Sequence, residues 1–391
     1  MEKVGWLTGS LLALLILLPM ALFGGKHELA LPVTSVLIVL LVILRNKTTL
    51  DEHRLKTSGW WLVAFLGWII INTWLFSTSS YVSFIASLPI FSGAIIFLII
   101  QIFEPQIETM DTFRRACLLG AGTIILIGLY IYLSPRFPSM RMGGLLRQHN
   151  AYAGFLIALL PLSLFATVFE KRWKWVWTVT AILIVTALVL TFSRGGFIAA
   201  ALALIIFWVL AHQRRVLAVS LLIIILGGSL AYGLYQIKTI NFNAVTIIPL
   251  SSPYAGEVPE QGETGVNSRL RYWRDALKIV ATRPIVGTGL NTFEQEYRRV
   301  QTDSRFFTID PHNLTLKIWV ELGLVGVIIF VGFLISLVAW LWRYGPARQF
   351  NPAMPAALIG LLAHYSLDLD LTFPAHYLLF FTLAALTQTK T

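Results

Sequence analysis

The chain has 391 residues, of which 57% are hydrophobic and only 13% charged, and its mean hydropathy is +0.75. A soluble globular protein carries about 25% charged residues, so this composition excludes a water-soluble fold. The formal net charge of +11 is spread over many short loops and is not a nucleic-acid footprint.

Crossing a bilayer takes about 20 apolar residues per helix. Apolar runs lie near 6–23, 30–44, 60–76, 85–103, 117–134, 151–169, 175–192, 195–211, 216–234, 314–342, 353–367 and 374–388. They predict an all-α integral membrane protein of about twelve transmembrane helices. Barrel strands would alternate apolar and polar residues, whereas these runs are apolar all round. The first run follows Lys3 as in a signal peptide, but no clean cleavage site follows, and it is read as an uncleaved span. Lys and Arg in short loops set orientation. With the N-terminus cytoplasmic, the inner loops hold Arg45, Lys47, Arg54, Lys56, Arg114, Arg115, Lys171, Arg172, Lys174, Arg214, Arg215, Arg343 and Arg348. The outer turns at 77–80 and 368–373 hold none. Both termini are therefore expected inside. The chain divides into nine helices over 1–234, a large outer loop over 235–313, and three helices over 314–391.

Two outer segments depart from this charge rule. Residues 135–150 carry Arg136, Arg141 and Arg147 with no acid. The long loop 235–313 is the other, and loops of such length tend to be functional. Its first part, through Pro253 and Pro259 to Gly262, reads as irregular. From Asn267 the pattern is helical: Leu270, Trp273, Leu277 and Val280 form an apolar face, with Arg271, Arg274 and Lys278 on another. Pro284, Gly287 and Gly289 end that helix, and a shorter one follows from about Asn291 to Val300. Such amphipathic helices can lie on a membrane surface.

Arg194 stands in Thr191-Phe-Ser-Arg-Gly-Gly196, a tight turn between two apolar runs. It either snorkels or points into a cavity toward an anion. Arg147, Arg194, Arg269, Arg271 and Arg274 all fall on the outer side with His312. Guanidinium forks match phosphate oxygens bidentately, so the cluster suits a phosphorylated lipid, although general attraction of anionic headgroups gives the same pattern. Histidine is the usual general base near neutral pH. His27, His53, His212, His364 and His376 carry no motif and are read as structural. Asp368 and Asp370 form a small acidic turn that either pairs with the arginines or faces water. Glu321, inside a span, is either a functional acid or a partner for an Arg. The single cysteine, Cys117, excludes an intramolecular disulfide, and no metal-ligand spacing is present.

The stretches Ser268-Arg-Leu-Arg-Tyr-Trp-Arg-Asp-Ala-Leu277, Arg283-Pro-Ile-Val-Gly-Thr-Gly-Leu-Asn-Thr-Phe293, Pro311-His-Asn313 and Glu321-Leu-Gly-Leu-Val-Gly326 resemble the O-antigen ligase and O-antigen polymerase superfamily. So do the Ser193-Arg-Gly-Gly196 turn and Gly143-Gly-Leu-Leu-Arg-Gln-His-Asn150. The resemblance covers roughly residues 140–340. It implies a GT-C-like, all-helical glycosyltransferase of the bacterial inner membrane, with its active site facing the periplasm and no cofactor or metal. The implied donor is an undecaprenyl-diphosphate-linked glycan. The acceptor is lipid A-core for a ligase, another carrier-linked glycan for a polymerase, or a Ser or Thr for a protein O-oligosaccharyltransferase; the ligase is the first reading. By motif, Arg194 and Arg269 would bind the diphosphate and His312 would act as general base. Arg147, Asn150, Arg271, Arg274 and Asn313 would contact phosphate or sugar. A lipid or solute transporter is the alternative of another class, and an assembly protein a third. A transporter predicts Gly- and Pro-broken helices at mid-membrane, whereas here the polar groups gather at one membrane face.

Overall fold

The computed structural model describes residues 2–22, 26, 30–45, 55–103, 107–137, 139–245, 266–301, 307–344, 351–368 and 370–388. Every apolar run in the sequence folds as a helix, and no strand occurs among the described residues. In chain order the helices are α1 (Glu2–Ala21), α2 (Ala30–Arg45), α3 (Thr57–Leu75), α4 (Ser80–Phe103), α5 (Ile107–Leu133), α6 (His149–Phe169), α7 (Lys174–Leu190), α8 (Arg194–Ala211) and α9 (Arg214–Val245). There follow α10 (Val266–Thr282), α11 (Phe293–Val300), α12 (Leu314–Tyr344), α13 (Ala353–Tyr365) and α14 (Pro374–Leu386). Short 3-10 turns lie at Gly144–Leu146 and Asp370–Thr372.

Among the described residues, seven helices are long and apolar enough to cross a membrane: α3, α4, α5, α6, α8, α9 and α12. Four further apolar helices are shorter, at Trp6–Ala21, α7, α13 and α14. The irregular stretch expected through Pro253, Pro259 and Gly262 lies outside the described residues.

α6 is buried over nearly all of Ala151–Val168 and forms the axis of the bundle. It packs against α7, α8 and α13; α1 packs on α5, α4 on α14 and α3 on α12. Side chains facing outward are large and apolar, among them Trp74, Tyr130, Ile225 and Trp342, as a lipid-facing surface requires.

Hydrogen bonds sort the two ends of the bundle. At one end Lys56 just before α3, Ser58 of α3 and Gln101 of α4 join Gln388 after α14. Arg114 of α5 pairs there with Glu170 at the end of α6. At the other end lie the starts of α6, α8, α12 and α14 and the ends of α3, α5, α9 and α13. Lys238 of α9 is buried there, donating to the carbonyls of Ser134 and Phe137 and pinning the turn after α5.

α12 is not one helix. Gly323 has φ 70° and ψ −175°, a backbone region open in practice only to glycine. Residues 283–292 fill the break. Leu324 and Val325 donate to the carbonyls of Pro284 and Ile285 at 2.9 and 3.2 Å, and Thr288 and Gly289 donate to those of Val320 and Glu321 at 2.9 and 2.8 Å. Trp319 donates to the Pro284 carbonyl, and Trp68 of α3 to that of Leu322. A broken helix leaves backbone groups unpaired, and here loop and indoles pair with them.

α10 turns a different face inward from the one its leucines suggest. Leu270 and Leu277 are about half exposed, while Ala276, Ile279 and Val280 pack with Phe293, Tyr297 and Val320. In a membrane protein leucine suits lipid as well as core, so the apolar stripe does not identify the packed face.

Candidate active site

Arg269, Tyr272, Trp273 and Ala276 fall at i, i+3, i+4 and i+7 of α10 and therefore share one side of it. That side rests on the turn before α12. Trp273 Nε1 donates to the Pro311 carbonyl at 3.0 Å. The Tyr272 ring stacks on the His312 imidazole, with centroids 5.8 Å apart and planes at 20°. Arg269 Nη2 donates to Asp368 Oδ2 at 3.0 Å. The His312 imidazole faces the same carboxylate, with Nδ1 3.5 Å from Asp368 Oδ1. That distance is long for a hydrogen bond and close enough for charge pairing.

His312 has φ 53°, uncommon for a residue with a Cβ. Its N–H donates to Asp310 Oδ1 at 2.8 Å. Asn313, expected to contact substrate, also caps α12, its Oδ1 accepting from the Leu316 N–H at 3.0 Å.

Asp368 is buried, with 3% of its surface exposed. Burial by itself raises its pKa; His312, His364 and Arg269 more than offset this and hold the carboxyl at about 2. It is ionised at any working pH. Its contribution to stability, about 2 kcal/mol, is present above the unfolded value near 4 and is lost as pH falls through about 2. The acidic turn therefore does not face water: Asp368 pairs with Arg269, and Asp370, fully buried, pairs with His364 Nδ1.

His364 and His376, given no motif from sequence, lie inside this cluster. His376 Nε2 donates to the Ala151 carbonyl at 3.0 Å, and Tyr365 Oη sits 3.2 Å from His376 Nδ1. At Gly154 the lack of a side chain makes room: a Cβ there would stand 2.5 Å from Asp370 Oδ2, whereas one on Gly195 would be in ordinary contact, 3.9 Å from both Asp368 Oδ2 and His364 Cδ2. The signal available in sequence was the spacing of two acids between two histidines over 364–376.

Gly195 thus brings the start of α8 against Asp368. Ser193 Oγ caps that helix by accepting from the Gly196 N–H at 3.1 Å. Arg194, the first residue of α8, is exposed and has no hydrogen-bond or ion-pair partner among the described residues. Arg271 and Arg274 lie on the exposed side of α10, away from the Asp368 contact. Arg147 is exposed in the left-handed conformation after the 3-10 turn, and Asn150 is half-buried in the first turn of α6. Glu321 has a lysine partner in place of the expected arginine: Lys317 Nζ lies 3.1 Å from its Oε1.

No curated protein matches the chain. Residues 179–331 match the family model described as O-antigen ligase. The match takes in Arg194, α10, the docked loop, His312 and the Gly323 break, and leaves out Arg147, Asn150 and Asp368. Through residues 179–331, this membrane chain is similar to the O-antigen ligase family.

Proposed function

We propose that the protein is an inverting, metal-independent glycosyltransferase that moves a glycan from undecaprenyl diphosphate to lipid A-core at the periplasmic face of the bacterial inner membrane, with both termini cytoplasmic. The convergence of Arg269 and His312 on the buried Asp368 carries this reading. With Nδ1 of His312 turned to a carboxylate, Nε2 is the nitrogen left to accept a proton.

The acceptor hydroxyl attacks the anomeric carbon as its proton passes to His312 Nε2. The bond from that carbon to the diphosphate oxygen breaks, and its electron pair leaves with the diphosphate. A single displacement inverts the anomeric configuration. Charge accumulates on the leaving group, where fixed guanidinium groups stabilise it without reorganising water. Arg269 is already oriented by Asp368, and Arg194, without a partner among the described residues, stands at the adjoining helix start. Arg147, Asn150, Arg271 and Arg274 are outer contacts for the remaining phosphate and sugar oxygens. Positive charge comes from these side chains, so the reading requires no metal.

Transfer in proteoliposomes tests it. Wild type receives an undecaprenyl-diphosphate-linked glycan with lipid A-core, a second carrier-linked glycan, or a Ser-containing peptide, each with and without chelator. Product on lipid A-core that is indifferent to chelator is expected. Product only on the second glycan or the peptide would reassign the acceptor, and none on any, from folded protein that binds donor, would favour transport or assembly. Arg269→Lys keeps the charge but loses the fork. It is expected to lower kcat/KM on the order of 10-fold, the loss of about one charge-assisted hydrogen bond.

A further inference from the structure

Transfer as proposed does not use Lys317, yet this cation is held between two buried carboxylates. It lies one turn into α12 and is buried, as are its partners Asp310 and Glu321. Its Nζ is 2.9 Å from Asp310 Oδ2 and 3.1 Å from Glu321 Oε1. The other oxygen of Asp310 accepts the His312 N–H at 2.8 Å. Thr308 Oγ1 donates to the Asp310 carbonyl at 2.7 Å. At the far end, the Glu321 carbonyl accepts from Gly289 of the docked loop.

A continuous set of contacts thus runs from the Gly323 break, through Glu321 and Lys317, to Asp310 and the His312 backbone. Buried ion pairs often contribute little net stability, because desolvation offsets their attraction, and apolar or neutral replacements of the whole group are tolerated. Stability is therefore a poor reason for three buried charges here. Geometry is a better one. His312 occupies a left-handed conformation that must be held, and the hydrogen bond from its N–H to Asp310 holds it only if that carboxylate is itself fixed.

We propose that Lys317 is a positioning residue for transfer: by clamping Asp310 against Glu321 it sets the His312 turn, and with it the direction of the imidazole. This rests on the reading of His312 as the base. Misplacing a catalytic group by about 1 Å can cost on the order of 100-fold in rate.

Removing Lys317 alone would strand two buried acids and risk unfolding, so the test neutralises the group together, as Asp310→Asn, Lys317→Met and Glu321→Gln. A second variant, Asp310→Asn alone, keeps an oxygen for the His312 N–H while removing the ion pair. The triple variant should unfold near the wild-type temperature, with kcat lower by roughly 10- to 100-fold and donor KM unchanged. The single variant should fall less. In a His312→Ala background the triple substitution should cause no further loss. Wild-type kcat in both variants, or a loss that adds in full to that of His312→Ala, would overturn the proposal. If wild type itself transfers nothing, the reading of the reaction fails separately. The rate at which diethyl pyrocarbonate modifies His312, followed by peptide mass spectrometry, then decides the positioning claim. A faster rate in either variant supports it, and an unchanged rate in both overturns it.

Discussion

Alanine at His312 is expected to lower the turnover of glycan transfer by about 100- to 10,000-fold, the range general-base catalysis typically supplies. Little else should change. The side chain is neither a helix cap nor a core residue; it stacks on Tyr272 and faces Asp368. Donor binding, measured by equilibrium methods in detergent, should stay within a few-fold of wild type, because Arg269 keeps its own bond to Asp368. Asp368→Asn should act through both partners at once. It removes the carboxylate that orients the imidazole and leaves the Arg269 fork without its anchor, so kcat and donor affinity should fall together. Full turnover in His312→Ala would remove the histidine from the reaction and leave the arginines as a binding site alone.

The second large effect is structural. Gly323→Ala should lower stability by about 3 kcal/mol or more. The backbone there lies in a region nearly closed to other residues, at a cost of about 1–3 kcal/mol. The added Cβ would also stand 2.1 Å from the Ile285 carbonyl oxygen and 2.5 Å from Val286 C. Both are backbone atoms of the docked loop and cannot swing aside, so an overpacking cost of about 1–3 kcal/mol is added. Gly228→Ala in α9 is the control, since a Cβ there meets nothing within 4 Å. Thermal unfolding followed by size-exclusion chromatography in detergent should show a large fall for the first and none for the second. Equal midpoints would mean that the break at Gly323 is not held as described.

The helices were legible because each is a long apolar run, and apolar length is the strongest signal a membrane chain carries. The motif residues were legible one by one. Their mutual contacts were not. Arg283–Phe293 and Glu321–Gly326 stand out as two separate signatures in sequence, but Gly287 and Gly323 are glycines because each sits against the backbone of the other's segment: a Cβ on Gly287 would meet Gly323 N at 2.5 Å. Much of the family pattern is therefore scaffold. Asp368 was visible as an acid near the arginines, yet which arginine it meets depends on how α10 lies, which the Leu270–Leu277 stripe does not show. His364 and Asp370 meet only because a 3-10 turn folds the chain back into the bundle, and no periodicity announces such a turn.

The Gly323 break also fixes a depth. Below it, Leu324–Tyr344 is a run of 21 residues, about 31 Å at 1.5 Å per residue, which matches a hydrocarbon layer of about 30 Å. The nine residues above it, Leu314–Leu322, add a further 13 Å or so. If the lower piece alone fills the hydrocarbon, Lys317 and Glu321 stand above the oily layer rather than inside the span that the sequence suggests. In the proposed reaction, that geometry would let a diphosphate anchored by a lipid tail meet His312 and Arg269 without being lifted from the bilayer.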